Sequence, residues 1–291
     1  MGFVGLRGTG KAARIMAKSI LITGCSSGIG YDCAIYLREN GWRVFASCRK
    51  EEDCQRLRDE GFEAPRIDYE DEASIESGLA EVLEATGGTL DALFNNGAYA
   101  VPGAVEDLPR AALRQNFEAN LFGYHDLTCR VIPVMRAQGH GRILNCSSVL
   151  GFAAMKWRGS YNTTKFAMEG LSDTLRLEMR KTPIDIILIQ PGPIGTKIRV
   201  NSVPHFEKWI DWENSARRGL YEKSLNKRLY ADKMGPDPFE LPPRAVSVKV
   251  LKALTAKRPA SRYKITTPTY LMAIFRRVLP RRAIDNILAR L

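Results

Sequence analysis

From Ser19 to Thr196 the chain repeats one pattern: a short apolar run, a break at Gly, Asn or Pro, then a segment with apolar residues at helical spacing. Runs at 19–23 (SILIT), 43–47 (RVFAS), 91–94 (DALF), 141–146 (GRILNC) and 184–190 (IDIILIQ) read as strands, with a short strand near 63–67 and a last near 262–266. Between them, Ile29, Cys33 and Leu37 share one helical face, and Ile75, Leu79, Val82 and Leu83 share another. Strands alternating with helices predict an α/β domain, doubly wound, with a parallel sheet of about seven strands covered by helices on both faces. The unbroken apolar run at 184–190 suits a strand buried on both sides.

Bulk properties exclude some classes. The 291 residues are 45% hydrophobic and 26% charged, the balance of a soluble globular chain. No apolar stretch approaches the roughly 18 residues of a membrane span. Residues 1–16 form a basic extension without the apolar core of a secretion signal, expected to be poorly ordered, and Met16 competes with Met1 as the start of translation. Six cysteines and three scattered histidines show no metal-ligand spacing, which predicts no metal and a reduced cytoplasmic chain with buried thiols. The net charge of +11 is local: residues 241–291 hold twelve Lys or Arg against one acid, Asp285, and residues 1–240 balance.

Open parallel sheets bind ligands at the carboxyl ends of their strands. After the first run comes Gly24-x-x-x-Gly28-x-Gly30, a strand–glycine turn–helix context suited to phosphate. The second run ends at Cys48-Arg49, with no acid for a ribose hydroxyl and an arginine for a 2′-phosphate, which favours NADP(H) over NAD(H). Asp68 ends the third, where it can accept from an adenine amino group or cap the next helix. Asn95-Asn96-Gly97-Ala98 and the turn Pro191-Gly192-Pro193-Ile194-Gly195-Thr196 close two more ligand-side edges.

A reactive trio lies at 148–165. On a helix, Tyr161 and Lys165 share one face, so an ammonium stands beside a phenol and favours its ionised form. Ser148, at a strand end, can present its hydroxyl to the same space. Asn120 interrupts an apolar, helix-favouring setting, so it either faces solvent or has a buried polar task. Residues 197–240 break the alternation with Phe206, Trp209, Trp212, Tyr221 and Tyr230, as expected of a small helical lid over an apolar substrate. The tail, 270–291, is a basic amphipathic helix interrupted at Pro280; it suits peripheral contact with anionic lipid, or docking on the domain or a sister subunit. Nucleic acid is not expected, because the arginines flank an apolar stripe and no recognition motif is present.

TGCSSGIG at 23–30, NNGA at 95–98, Asn120, Ser148, Tyr161-x-x-x-Lys165 and PGPIGT at 191–196 occur in this order. Together they resemble the short-chain dehydrogenase/reductase family over about residues 17–267. The loop with Cys48-Arg49 is most similar to the branch of 17β-hydroxysteroid and retinol dehydrogenases, and the ending RYKITTPTYLMAIFRRVLP to bacterial NADP-dependent aldehyde or ketone reductases. One departure is the order Gly97-Ala98, where the family has Ala-Gly; Ala98 must then avoid positive φ.

The resemblance implies a single Rossmann-type catalytic domain at 17–269 with the lid at 197–240. It implies Tyr161 as general acid/base and Lys165 as holder of the nicotinamide ribose. Ser148 would be donor to the carbonyl oxygen, and Asn120 would hold a relay water. The nucleotide NADP(H) would be held by Gly24, Ser26, Ser27, Gly28, Ile29, Gly30, Arg49, Asp68, Asn95, Gly97, Pro191, Gly192, Ile194 and Thr196, together with Tyr161 and Lys165. Met155 and Trp157 would wall the substrate pocket beside Ser148 and Tyr161. The expected activity is reversible NADP(H)-dependent reduction of an apolar aldehyde or ketone; the alternative is a catalytically silent NADP(H) sensor on the same fold. A cytoplasmic homodimer or homotetramer, possible at a membrane periphery through 270–291, completes the expectation.

Overall fold

The computed structural model describes residues 17–231 and 237–290. The expectations for residues 1–16, for 232–236 of the lid and for Leu291 lie outside these. In chain order the elements are β1 (Ser19–Ile22), α1 (Gly28–Glu39), β2 (Arg43–Ala46), α2 (Glu51–Asp59), α3 (Glu72–Thr86) and β3 (Ala92–Asn95). Then come α4 (Arg110–Phe117), α5 (Gly123–Gln138), β4 (Gly141–Cys146), α6 (Gly159–Glu178) and β5 (Ile184–Pro191). The chain continues through α7 (Ile198–Trp209), α8 (Arg218–Leu220), α9 (Asn226–Leu229), α10 (Arg244–Thr255), β6 (Arg262–Ile265), α11 (Thr267–Val278) and α12 (Arg281–Leu288).

The strands form one parallel sheet in the order β2-β1-β3-β4-β5-β6. The order reverses between β1 and β3, and that reversal opens a crevice at the strands' carboxyl ends. All four residues of β1 are buried, and sealing a Leu or Ile side chain from water contributes about 1.5–3 kcal/mol. One sheet face packs against α1 and α10 through Cys33, Leu37, Val246 and Val250. The other packs against α3, α5 and α6 through Ile75, Leu79, Leu127, Val131 and Met168.

Six strands form where about seven were expected. Residues 63–67 lie along the outer edge of β2, but only as two isolated parallel bridges, Phe45 with Glu63 and Cys48 with Arg66. Ala46 N–H donates to the Glu63 carbonyl and Ile67 N–H to the Cys48 carbonyl; Pro65, between them, has no N–H to continue the ladder.

Residues 110–138 form α4 and α5 joined through a π-helical turn at Glu118–Phe122, which carries Asn120. The tail, expected as a helix interrupted at Pro280, starts at Thr267. It is two helices, α11 and α12, parted at Leu279-Pro280, because Pro280 is in extended backbone and starts the second helix instead of kinking the first. Among the described residues no helix is long and apolar enough to cross a membrane.

Candidate active site

A cleft of about 720 Å³ opens along the sheet's carboxyl edge. Its walls come from the turns after β1, β2, β3 and β5, from residues 67–70, and from Tyr161 and Lys165 of α6. Gly24, Ser26, Ser27, Gly28 and Ile29 line it, as do Arg49, Asp68, Gly97 and Thr196.

Backbone approach explains the glycines. Gly24 has φ +69°, and a Cβ there would stand 2.4 Å from the Cα of Gly97. Gly30 is buried under the loop rather than in the cleft: its Cβ would meet the Gly24 carbonyl oxygen at 2.4 Å and Asn96 Nδ2 at 2.7 Å. The exchange of Gly97 and Ala98 is tolerated, since a Cβ at Gly97, where the family has Ala, would meet the Gly24 Cα at 3.3 Å, a close fit that glycine only relieves, and Ala98 is not among the positive-φ residues. Helix α1 starts at this loop with no acid in its first turn, and Ser27 makes no side-chain cap. Its first N–H groups are therefore available to an anion, and the helix dipole favours negative charge there. A dinucleotide's phosphates fit this cradle.

Besides Gly30, four of the expected nucleotide contacts, Asn95, Pro191, Gly192 and Ile194, do not line the cleft. Asn95 is fully buried beneath the cleft, where it accepts from the Tyr69 hydroxyl at 2.7 Å and donates to Thr128 Oγ1 at 3.1 Å and Asn145 Oδ1 at 2.9 Å. Its neighbour Asn96 lines the cleft instead, and its Nδ2 pins the carbonyls of Thr23 and Gly24 at 3.1 and 3.3 Å. Of the PGPIGT turn only Thr196 reaches the cleft. Pro191 ends β5 in the interior, Gly192 lies against Thr266 and Thr269, and Ile194 packs on the core. Helix α3 is capped by Asp71, which accepts from Ala73 and Ser74 N–H, so Asp68 is left to the cleft wall.

On α6, Tyr161 faces the cleft, and Lys165 Nζ lies 5.5 Å from its ring centroid. Lys165 is buried and donates to the Cys146 carbonyl at 2.7 Å, which leaves two ammonium protons for other partners. Burial holds its pKa down at about 8, against the opposing pull of Cys146 and Glu169. Burial, and then Cys146, push the Tyr161 phenol above its usual value, while the Ser148 hydroxyl and the Arg158 guanidinium pull it back. Ser148 Oγ accepts the Leu150 N–H at 3.1 Å, so its own hydrogen is free to be donated toward Tyr161 or a bound oxygen.

Asn120 is fully buried in its π-helical turn and bonds to Tyr99 and Thr164. Tyr99 and His205 also line the cleft, with rings stacked at 4.0 Å and 12°. Burial lowers the His205 pKa, and Arg49 and Lys208 lower it further. The sequence reading assigned neither residue; the stack joins positions on different elements and leaves no local pattern.

Trp157 and Met155 do not line this cleft. The Trp157 ring packs on Tyr221 at 4.8 Å, within an apolar cluster that includes Val101, Phe206 and Ile210. Trp157 is held at φ +64°, a conformation costing an aromatic residue about 1–3 kcal/mol, with its carbonyl bonded by the Gly103 N–H at 3.1 Å. Tyr221 ties the helices after β5 to the 101–107 loop: its hydroxyl accepts from Ala104 N–H and donates to Asp107, each at 2.8 Å. Met155 is exposed. Five cysteines are buried and Cys129 is exposed, all unpaired; among the described residues no three His, Cys, Asp or Glu side chains converge on a metal site.

Comparison with known proteins agrees with this geometry. The sequence profile described as short chain dehydrogenase matches residues 18–206. The oxidoreductase YbbO of Escherichia coli (strain K12) is 37% identical over 276 residues, covering 94% of this chain and 95% of its own. The NADPH-dependent 3-dehydrocapnine reductase of Ornithobacterium rhinotracheale is 28% identical, over 92% of this chain and 94% of its own. A crystal structure of a short-chain dehydrogenase from Streptomyces avermitilis superposes with a TM-score of 0.75 at 25% identity, covering 94% of this chain and 97% of that one.

Proposed function

The chain belongs to the short-chain dehydrogenase/reductase family of oxidoreductases, and from that premise we propose that it reduces apolar aldehydes or ketones with NADPH. One observation carries the reading: Tyr161, with the Ser148 hydroxyl beside its phenol, and Lys165 line the same cleft as the glycine loop and Arg49. The NADPH preference rests on Arg49, with no carboxylate at Cys48, and is supported by a relative whose name states NADPH dependence.

The nicotinamide nucleotide supplies the hydride. The protein's part is to hold and move one proton. Burial keeps the Tyr161 phenol protonated, so it acts as general acid toward the carbonyl oxygen. Ser148, oriented by the Leu150 N–H, donates a second hydrogen bond to that oxygen as negative charge develops. The Lys165 ammonium, anchored on the Cys146 carbonyl, lowers the cost of the phenolate left behind. In the reverse direction Tyr161 takes the proton from an alcohol. Residues 197–240 are the lid of this reading, tied to the 101–107 loop through the buried cluster of Trp157, Phe206 and Tyr221.

The test is NADPH oxidation across carbonyl compounds graded by chain length and ring size. Wild-type turnover is expected with at least one apolar carbonyl. Tyr161→Phe should lose roughly a hundredfold or more in kcat while keeping its NADPH Kd. NADPH binding without turnover across the whole panel would instead support a sensor.

A further inference from the structure

Helix α11 has two apolar faces. Its inner face, Met272 and Phe275, packs with Ile284 and Leu288 of α12 onto Val149, Phe152 and Ala153, the residues that follow Ser148. Its outer face carries Tyr270, Leu271, Ile274 and Val278, exposed by 48, 42, 54 and 68%. Positions 270, 271, 274 and 278 fall within one strip of a helix surface, so these are one patch and not scattered side chains.

Arginines border the patch. Arg277, Arg281 and Arg282 are exposed, and Asp285, the one acid of residues 241–291, is engaged by Arg281 at 3.2 Å. Arg277 and Arg282 are left without a carboxylate among the described residues. This charge pattern selects the occupant. A second copy seated here about a two-fold axis would bring the same arginines against themselves, with no spare acid in residues 241–291 of either copy. An anionic bilayer surface satisfies both features, taking the apolar strip below its headgroups and the guanidinium groups among its phosphates.

We propose that α11, flanked by the arginines of the α11–α12 junction, is a docking surface for anionic membrane. The inner face then ties that surface to the 149–153 turn beside Ser148. Docking is independent of the reaction proposed above, because it is read without substrate or nucleotide.

The experiment is co-sedimentation of the full chain with two kinds of vesicle, phosphatidylcholine alone and an equimolar mixture of phosphatidylcholine and phosphatidylglycerol. Binding is expected to the mixture and to fall about tenfold or more when salt screens it. Leu271→Glu with Ile274→Glu, and separately Arg277→Glu with Arg282→Glu, should each weaken binding about tenfold or more. The arginine variant changes only exposed side chains, so it decides the matter if the first variant folds poorly. Light scattering on the same samples reads self-association. No binding by the wild type, equal binding to both vesicles, or unchanged binding by the arginine variant overturns the proposal. An oligomer that Leu271→Glu with Ile274→Glu dissociates, with vesicle binding intact, gives the face to a second copy.

Discussion

Asn120 holds both backbone polar groups of Tyr99: the Tyr99 N–H donates to Oδ1 at 3.1 Å, and Nδ2 donates to the Tyr99 carbonyl at 2.9 Å. Nδ2 also lies 3.2 Å from Thr164 Oγ1, so one amide joins the cleft wall to the helix of Tyr161 and Lys165. Asn120→Ala would strand the buried Tyr99 N–H at about 1–3 kcal/mol, while the Tyr99 carbonyl keeps Asn116 Nδ2 at 3.0 Å. The expected result is a stability loss of about 2 kcal/mol or more in urea unfolding, with weaker NADPH binding by fluorescence titration. Unchanged stability would mean that the clamp on Tyr99 is not what the amide is for.

Arg49 lines the cleft and lies near both members of the Tyr99–His205 stack. A charge-assisted hydrogen bond from it to a 2′-phosphate would be worth about 1.5–3 kcal/mol. Arg49→Ala should therefore lower the ratio of kcat/KM for NADPH to that for NADH by about tenfold to a hundredfold. The same ratio in wild type and variant would remove Arg49 from coenzyme choice.

Lys165 titrates at about 8 in the fold, against 10.5 for a solvated lysine. A depressed lysine leaves the unfolded chain holding the extra proton between those values, so stability rises with pH across that window and the penalty is complete below it. The amount is on the order of 3 kcal/mol. Tyr161, pushed above 10 by burial, works in the opposite direction only at higher pH. The buried thiols of Cys33 and Cys146, held above their usual value, pull stability down over the same window, so the expected observation is a wild-type urea midpoint that gains on that of Lys165→Met from pH 8 to about 10. Parallel curves for the two proteins would show that Lys165 is not the group responsible.

Gly30→Ala sets a methyl group against a carbonyl oxygen and an amide that are both fixed by the nucleotide loop. Overpacking of this kind costs about 1–3 kcal/mol. Loss of NADPH binding should accompany the loss of stability, since the backbone that yields is the cradle itself. A variant that binds NADPH at wild-type affinity would show that the loop can shift without consequence.

The alternation of apolar runs and helical stripes made the parallel sheet legible, because a strand buried on both faces has to be written in Val, Ile and Leu. The trio at 148–165 was legible for a different reason: Tyr161 and Lys165 are one helical turn apart, and helical spacing survives in sequence. Asn95 and Asn96 mark where legibility stops. Their chemistry is the same, and only the parity of β3 decides which side chain goes under the sheet edge and which goes into the cleft. His205 stacks on Tyr99 from an element far along the chain, a contact that tertiary packing alone creates. The missing strand was written plainly enough in Pro65, which removes a donor wherever a ladder needs one.

That interruption also bears on how the chain behaves among its own copies. An open sheet offers a template at each end, and a nascent or crowded protein risks zipping onto another there. Here the β2 side is covered by residues 63–67, whose pairing to β2 breaks at Pro65, so no regular strand stands there to be extended. The β6 side is only four residues long and carries Arg262 and Lys264. Both ends of the sheet are therefore poor nuclei for edge-to-edge aggregation, so Pro65→Ala, which restores the donor, is a change toward insolubility.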